Sequence, residues 1–296
     1  MNHTGEIAAL SAAFIWAFNG LIVERKTKNI PPLVLNFIRL SIALILVTII
    51  TLFDNGSIIE PNITARQWFW MLLSWVLGFT MGDTFLFKSF QTIGARLSTL
   101  IYNFYPVVVA LISFFLFGET LTSFNILAIV LVISGILLVV NKKPKDSGDY
   151  SAYKITLKTL LPVSIAILGQ SLGLVTSKYA LETLTTMAGT QIRLIGGLFG
   201  ITAIFAIQNK WNKLNVIRGD RASCIAIAYV GVFATFLAGL LSMIAIKFAP
   251  AAVASALMST TPVLVLPASW ITTRQKIYPV EIIGAILALS GITLLI

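Results

Sequence analysis

A chain with a single cysteine, Cys224, and a single histidine, His3, closes off several kinds of chemistry at once. One thiol cannot make an internal disulfide. A zinc centre needs several His, Cys or acidic ligands gathered together. Ser-His and Cys-His nucleophile pairs need a histidine beside the nucleophile, and His3 stands outside the first apolar run. Charge is scarce too: 11% of the 296 residues are Asp, Glu, Lys or Arg, against about 25% in a soluble domain. The 11 acids are scattered, which leaves little for a membrane-embedded acyl or prenyl transferase handling metal or protons at an interface. No ring of charges or carbonyl-filter motif marks a passive channel. The N-terminus, MNHTGEIAAL, has no basic leader and no small-residue cleavage pattern, so its apolar run reads as a first spanning segment.

What is present is hydrophobic length. Fifty-seven per cent of the residues are hydrophobic and the mean hydropathy is +0.94. Apolar stretches of about 17–25 residues, enough to cross a bilayer as helix, occur near 6–23, 33–53, 67–90, 96–117, 122–140, 159–178, 186–207, 222–246, 251–272 and 278–296. Pro31-Pro32, Asp54-Asn55-Gly56, Gly118-Glu119, Lys142-Lys143-Pro144, Pro250 and Pro279 punctuate them. The expected class is an all-α polytopic membrane protein of ten transmembrane helices. Its longest polar connector, 141-NKKPKDSGDYSAYK-154, falls at the middle.

That midpoint divides two related halves. Shifted by 156, residues 91–140 align with 247–296 without a gap, and eleven of the 50 positions are identical, including Pro106-Val107 with Pro262-Val263 and 134-SGI-136 with 290-SGI-292. Earlier, 38-IRL-40 matches 192-IRL-194 at a shift of 154. The expected organisation is a five-helix repeat over 1–140, a basic connector over 141–157 and a second five-helix repeat over 158–296. Five is odd, so the second copy enters the membrane the other way. Inverted repeats of this kind mark secondary transporters with a midplane substrate site.

Sixteen of the 21 basic residues fall in loops on one face, three (Arg66, Lys178, Lys247) on the other, and two, Arg39 and Arg193, inside spans. The positive-inside rule then places loops 24–30, 141–158 and 208–221 in the cytoplasm and both termini outside, in a cell (inner) membrane. This also accounts for the net charge of +10 without nucleic acid as a partner.

Several motifs in this order and spacing resemble the drug/metabolite transporter superfamily, EamA-type, over nearly the whole chain. They are 15-IWAFNG-20, 37-FIRLSIAL-44, 82-GDTFLFKSFQTIGARLSTL-100 followed by Pro106, 117-FGETLT-122 and 134-SGILLVV-140. The resemblance implies a ten-helix secondary transporter of small organic metabolites with no ATPase and no cofactor. Two features depart from it. Gly118-Glu119 becomes Arg274-Gln275 in the second half, and the family commonly keeps both termini inside, opposite to the charge count.

The intramembrane charges are the first site candidates. An unpaired ionised Asp costs roughly 2.5–3.5 kcal/mol at a helix centre on the insertion scale, so Asp83 needs a partner or a task. Arg39 and Asp83 both lie roughly 10 Å below the same surface at 1.5 Å per residue, level enough to meet. Lys88 is a second candidate partner. Either the pair fastens two helices, or Asp83 is the coupling or cation-binding acid and exchanges protons while Arg39 is released. Arg193 is the repeat mate of Arg39 at the shift of 154, whereas the position matching Asp83 at the shift of 156 is Gly239; such asymmetry suits a zwitterion.

Trp16 and Asn19 share one helix face, as do Tyr102 and Tyr105, by i,i+3 spacing. The mates of the two tyrosines are Met258 and Thr261, and Gln170 corresponds to Trp16. Together they make a plausible lining for a cationic, aromatic or amino-acid-like solute. Pro106 and Pro262 are expected kinks or hinges. Trp68, Trp70 and Trp75 are expected in an interfacial belt. Gly78 and Gly82 form a GxxxG pair, and Gly196, Gly197 and Gly200 cluster, both suited to close helix approach. The expected partners are lipid, a small-molecule substrate, and protons or a counter-substrate. Export is the favoured direction, with import or exchange on the same fold as the alternative.

Overall fold

The computed structural model describes residues 3–60, 63–117, 156–181, 184–209, 211–217, 221–248, 257–274 and 277–294, with isolated positions between 124 and 138. Among these residues the chain is helical throughout. In order they form α1 (Thr4–Lys26), α2 (Pro32–Asn55), α3 (Ala65–Ile93), α4 (Ala95–Tyr102), α5 (Tyr105–Phe117), α6 (Leu157–Leu181), α7 (Thr186–Gln208), a short 3-10 turn (Trp211–Ile217), α8 (221–248), α9 (Thr261–Thr273) and α10 (Pro279–Leu294). Six helices, α1, α2, α3, α6, α7 and α8, are long and apolar enough to cross a membrane, and α9 and α10 carry shorter apolar stretches. The stretch near 122–140 and the start of the stretch near 251–272 lie largely outside the described residues, as do Gly118-Glu119, Pro250 and most of the connector 141–157.

Local chemistry sets the ends. Pro32 opens α2, where a missing N–H costs nothing. Thr64 and Gln67 cap α3 reciprocally, satisfying two otherwise orphaned N–H groups. Thr185 caps α7 by accepting from Ala188 N–H. Gly94, at φ 83°, separates α3 from α4, a conformation that L side chains resist.

Side chains are distributed for a lipid solvent. Phe53, Phe199, Ile207 and Ile271 face outward, whereas Asn36, Arg39, Ser74, Thr235 and Gln191 are buried. The helices of residues 4–117 pack mainly against those of 157–294: α1 on α8 and α9, α2 on α7 and α8, α3 on α6 and α7. At the α3–α6 seam the expected Gly78/Gly82 pair meets a second one, Gly169/Gly173. A Cβ on Gly173 would stand 2.7 Å from Ser74 O, and one on Gly169 2.8 Å from Gly82 N. Small residues let these backbones touch, and Ser74 Oγ donates to Gly173 O at 2.6 Å across the seam.

Two helices widen at matching places. Val76–Asp83 in α3 and Val230–Leu237 in α8 are π-helical, and both begin 154 residues apart, the shift that relates Arg39 to Arg193. An i→i+5 turn disturbs the normal ladder and is often functional. Here the carbonyls of these turns accept side-chain bonds from facing helices: Phe79 O from Asn36 Nδ2 at 2.6 Å, and Ala234 O from Trp16 Nε1 at 3.0 Å.

The two expected hinges are chain breaks. Asn103 and Phe104 form a turn between α4 and α5, leaving Pro106 in the first turn of α5. Pro262 likewise sits in the first turn of α9. A proline is tolerated there because its N–H is not needed, so neither bends the middle of a helix. The breaks touch: Asn103 Nδ2 donates to Ser259 O at 3.2 Å.

Candidate functional site

Arg39 is almost fully enclosed, and every nitrogen of its guanidinium is used. Nε donates to Asn36 Oδ1 at 2.8 Å, Nη1 to Thr235 Oγ1 at 2.9 Å, and Nη2 to Asp83 Oδ2 in a short contact. Asn36 reaches Arg39 because both lie on α2 at i,i+3 spacing, while Thr235 and Asp83 come from the two π segments. The guanidinium also packs on the rings of Phe79 and Phe87, with 4.9 and 4.7 Å to the centroids. Asp83 thus pairs with Arg39, the partner expected from depth. Lys88, the other candidate, is exposed and makes no ion pair with Asp83.

Arg193, on α7, is equally buried but differently served. Nη1 donates to Met243 Sδ at 3.2 Å, a weak acceptor. The guanidinium lies 3.6 Å from the Trp75 ring centroid and 6.0 Å from that of Phe79, so the two arginines flank one phenyl ring. Its Nε has no acceptor, and among the described residues no carboxylate lies within ion-pair distance of it. Stacking on a desolvated indole is worth about 2 kcal/mol or more. It does not neutralise the charge.

These groups border a central cavity of about 160 Å³, close to the ~150 Å³ that admits a benzene ring in an engineered core. Its walls include all nine expected positions: Trp16, Asn19, Arg39, Asp83, Tyr102, Tyr105, Gln170, Arg193 and Thr261. Met258 and Gly239, the mates of Tyr102 and Asp83, line it as well. Around Gly239 a Cβ would meet nothing within 4 Å. Asp83 and the two arginines are the only charged side chains on the described wall, so its formal charge is +1.

Trp75 departs from expectation. It is buried and lines the cavity beneath Arg193, whereas Trp68 and Trp70, a turn or more earlier on α3, are partly exposed. The belt reading fails for Trp75 because it immediately precedes the π segment, where the helix turns inward against α7. Trp75, Phe79 and Asp83 recur every fourth residue along α3; that spacing is the available signal. Asn36 carries a signal in its i,i+3 spacing from Arg39, whereas Thr235 and Met243 carry none, since their roles come from helices distant in sequence.

A second charged cluster holds Arg96, one of the sixteen basic residues that the charge count places in loops and that the structure places on α4. Arg96 is partly buried on α4, donating from Nε to Ser269 Oγ at 2.8 Å and from Nη1 to Glu281 Oε1 at 3.4 Å. Glu281 Oε2 also accepts from Tyr278 N–H at 2.9 Å at the start of α10. The cluster ties α4 to α9 and α10, away from the central cavity. On the same side, Ser223 Oγ donates to Lys26 O and Glu24 accepts from Ala95 N–H.

The EamA-like transporter family model matches residues 3–141 and again 157–296. An uncharacterized transporter of Archaeoglobus fulgidus is 25% identical over 230 residues, 70% of this chain and 81% of that protein. The uncharacterized transporter YyaM of Bacillus subtilis is 27% identical over 137 residues, 45% of this chain and 43% of its own. A crystal structure with 15% identity superposes with a TM-score of 0.67, covering 99% of this chain and 96% of that one; at that identity the likeness is one of fold. An apolar helical frame around a charged cavity, matched on both sides of its basic connector, belongs to a membrane protein of the EamA-like transporter family.

Proposed function

We propose that this chain is a secondary active transporter that exports small organic metabolites by alternating access. In this reading its ten helices are two inverted five-helix repeats, the central cavity is the midplane substrate site, and the basic loops 24–30, 141–158 and 208–221 are cytoplasmic. The observation that carries it is the cavity itself. Residues from both halves converge on one enclosed, partly charged space inside a lipid-facing frame, as expected of a site between repeats. The twofold family match and the paired π segments support the same reading. The touching breaks at Asn103 and Ser259 suit a hinge at which the repeats rock. Import or exchange on the same frame differs only in coupling.

Asp83 is the coupling acid of this reading. Protonation would release Arg39 from its carboxylate and loosen the α2–α3 contact. The test is solute flux into proteoliposomes at pH 6 and pH 8, wild type beside Asp83→Asn. The variant is expected to lose both rate and pH response. Flux at the wild-type rate with unchanged pH dependence would reduce Asp83 to a packing residue.

A further inference from the structure

Arg193 presents a buried positive charge with no ion-pair partner among the described residues; the field of Asp83 reaches it, but the contact of that carboxylate is with Arg39. Asp83 is committed to Arg39, and the Met243 thioether and Trp75 ring offer no negative charge. A second orphan stands beside it: Trp75 Nε1, also buried, has no acceptor, and this indole is the one the guanidinium covers. Arg193 Nε and Trp75 Nε1 are thus two buried N–H donors without a protein acceptor, on residues that line the cavity. Leaving a buried donor unsatisfied is far costlier than the modest gain from an ordinary hydrogen bond. Asn19 Oδ1 is an unpaired acceptor on the same wall, but it carries no charge and does not offset Arg193.

We propose that Arg193 and Trp75 form a carboxylate-binding subsite, and that the cavity takes a small organic monoanion with a flat apolar body. A carboxylate supplies two acceptor oxygens to a planar guanidinium fork and neutralises the wall charge of +1. A dianion would leave a buried negative charge in excess. Tyr102 and Tyr105 line the space for the apolar body, and the volume fits a single ring. The substrate thereby takes, for Arg193, the place that Asp83 takes for Arg39. This inference rests on the reading of the cavity as the transport site and narrows its substrate class, away from simple cations.

The test uses the full chain in detergent and a matched series: phenylacetate, phenylacetamide and phenethylamine, with binding followed by calorimetry. Phenylacetate is expected to bind at least tenfold more tightly than the amide or the amine. Arg193→Met should weaken phenylacetate roughly 100-fold, the scale of a lost charge-assisted pair, with Arg193→Lys intermediate, each checked for a monodisperse fold. Equal binding of the amine or amide, or phenylacetate binding that survives Arg193→Met, overturns the proposal. So does an absence of binding by phenylacetate at millimolar concentration. Proteoliposome flux separates the two readings. Flux of phenethylamine without phenylacetate sinks the anion subsite and leaves transport standing. Phenylacetate binding with no flux sinks transport and leaves the subsite.

Discussion

Arg39 and Arg193 occupy the same place in two copies of one motif, 38-IRL-40 and 192-IRL-194, yet their surroundings have diverged. The first has Asn36, Thr235 and Asp83 as acceptors; the second has a thioether and an indole face. The tripeptide is the same, so the difference arises outside it: at Asn36, whose counterpart at the same shift is Thr190, and at Asp83 and Thr235 on neighbouring helices. Where α3 brings Asp83 to Arg39, α8 brings Gly239 to the cavity wall and leaves space. One half of the molecule holds a finished ion pair and the other an unfinished one. Completing that second pair is a task the substrate can perform.

The comparison breaks hardest at Asp83. Asp83→Asn leaves Arg39 a buried cation without its counter-charge and is expected to cost about 3–5 kcal/mol of stability, read by denaturant unfolding in micelles. A loss well under that range, below about 1 kcal/mol, would mean that Arg39 and Arg193 are not different in kind. Next is Thr235→Val, which removes one acceptor from Arg39 and should cost about 1.5–3 kcal/mol, the range for bonds to charged groups; the same assay checks it. The sign reverses at the other arginine. Arg193→Met replaces an ion without an ion-pair partner by an apolar side chain, and stability should hold or rise by about 1–2 kcal/mol while phenylacetate binding is lost. Destabilisation comparable to Asp83→Asn would show that Arg193 has a structural partner after all.

The subtlest test restores the symmetry. Gly239→Asp places a carboxylate at the position that matches Asp83 at the shift of 156, where a Cβ meets open space. Stability is expected to change by less than about 1 kcal/mol, since pairing and desolvation nearly cancel. Phenylacetate binding should nevertheless fall sharply, because the protein then supplies the anion itself. Unchanged binding would place the introduced carboxylate out of reach of Arg193 and weaken the analogy between the halves.

Much of the frame is legible in the residues. Long apolar runs forecast α1, α2, α3, α6, α7 and α8, because a helix in lipid must satisfy its own backbone and face hydrocarbon. Equal depth forecasts the meeting of Arg39 and Asp83, because rise per residue is fixed. Trp75 misleads: a tryptophan near a span end ordinarily marks an interface, and nothing in VLGFTMGD announces that the next turns widen and rotate it inward. Arg96 misleads for a related reason. Its partners, Ser269 and Glu281, lie 173 and 185 residues away in the chain, and a cation near a span end looks the same whether it is solvated or paired.

The sequence by itself determined that the chain is a bundle of lipid-facing helices, that its halves are related, and that two arginines and one aspartate lie inside spans. Those facts depend only on composition, period and rise along a single helix. The tertiary structure alone decided which further acceptors closed around Arg39, which tryptophan was buried, and which donors were left without acceptors. Such choices depend on the rotation of each helix about its own axis, which is fixed by π turns, glycine seams and neighbours far apart in the chain.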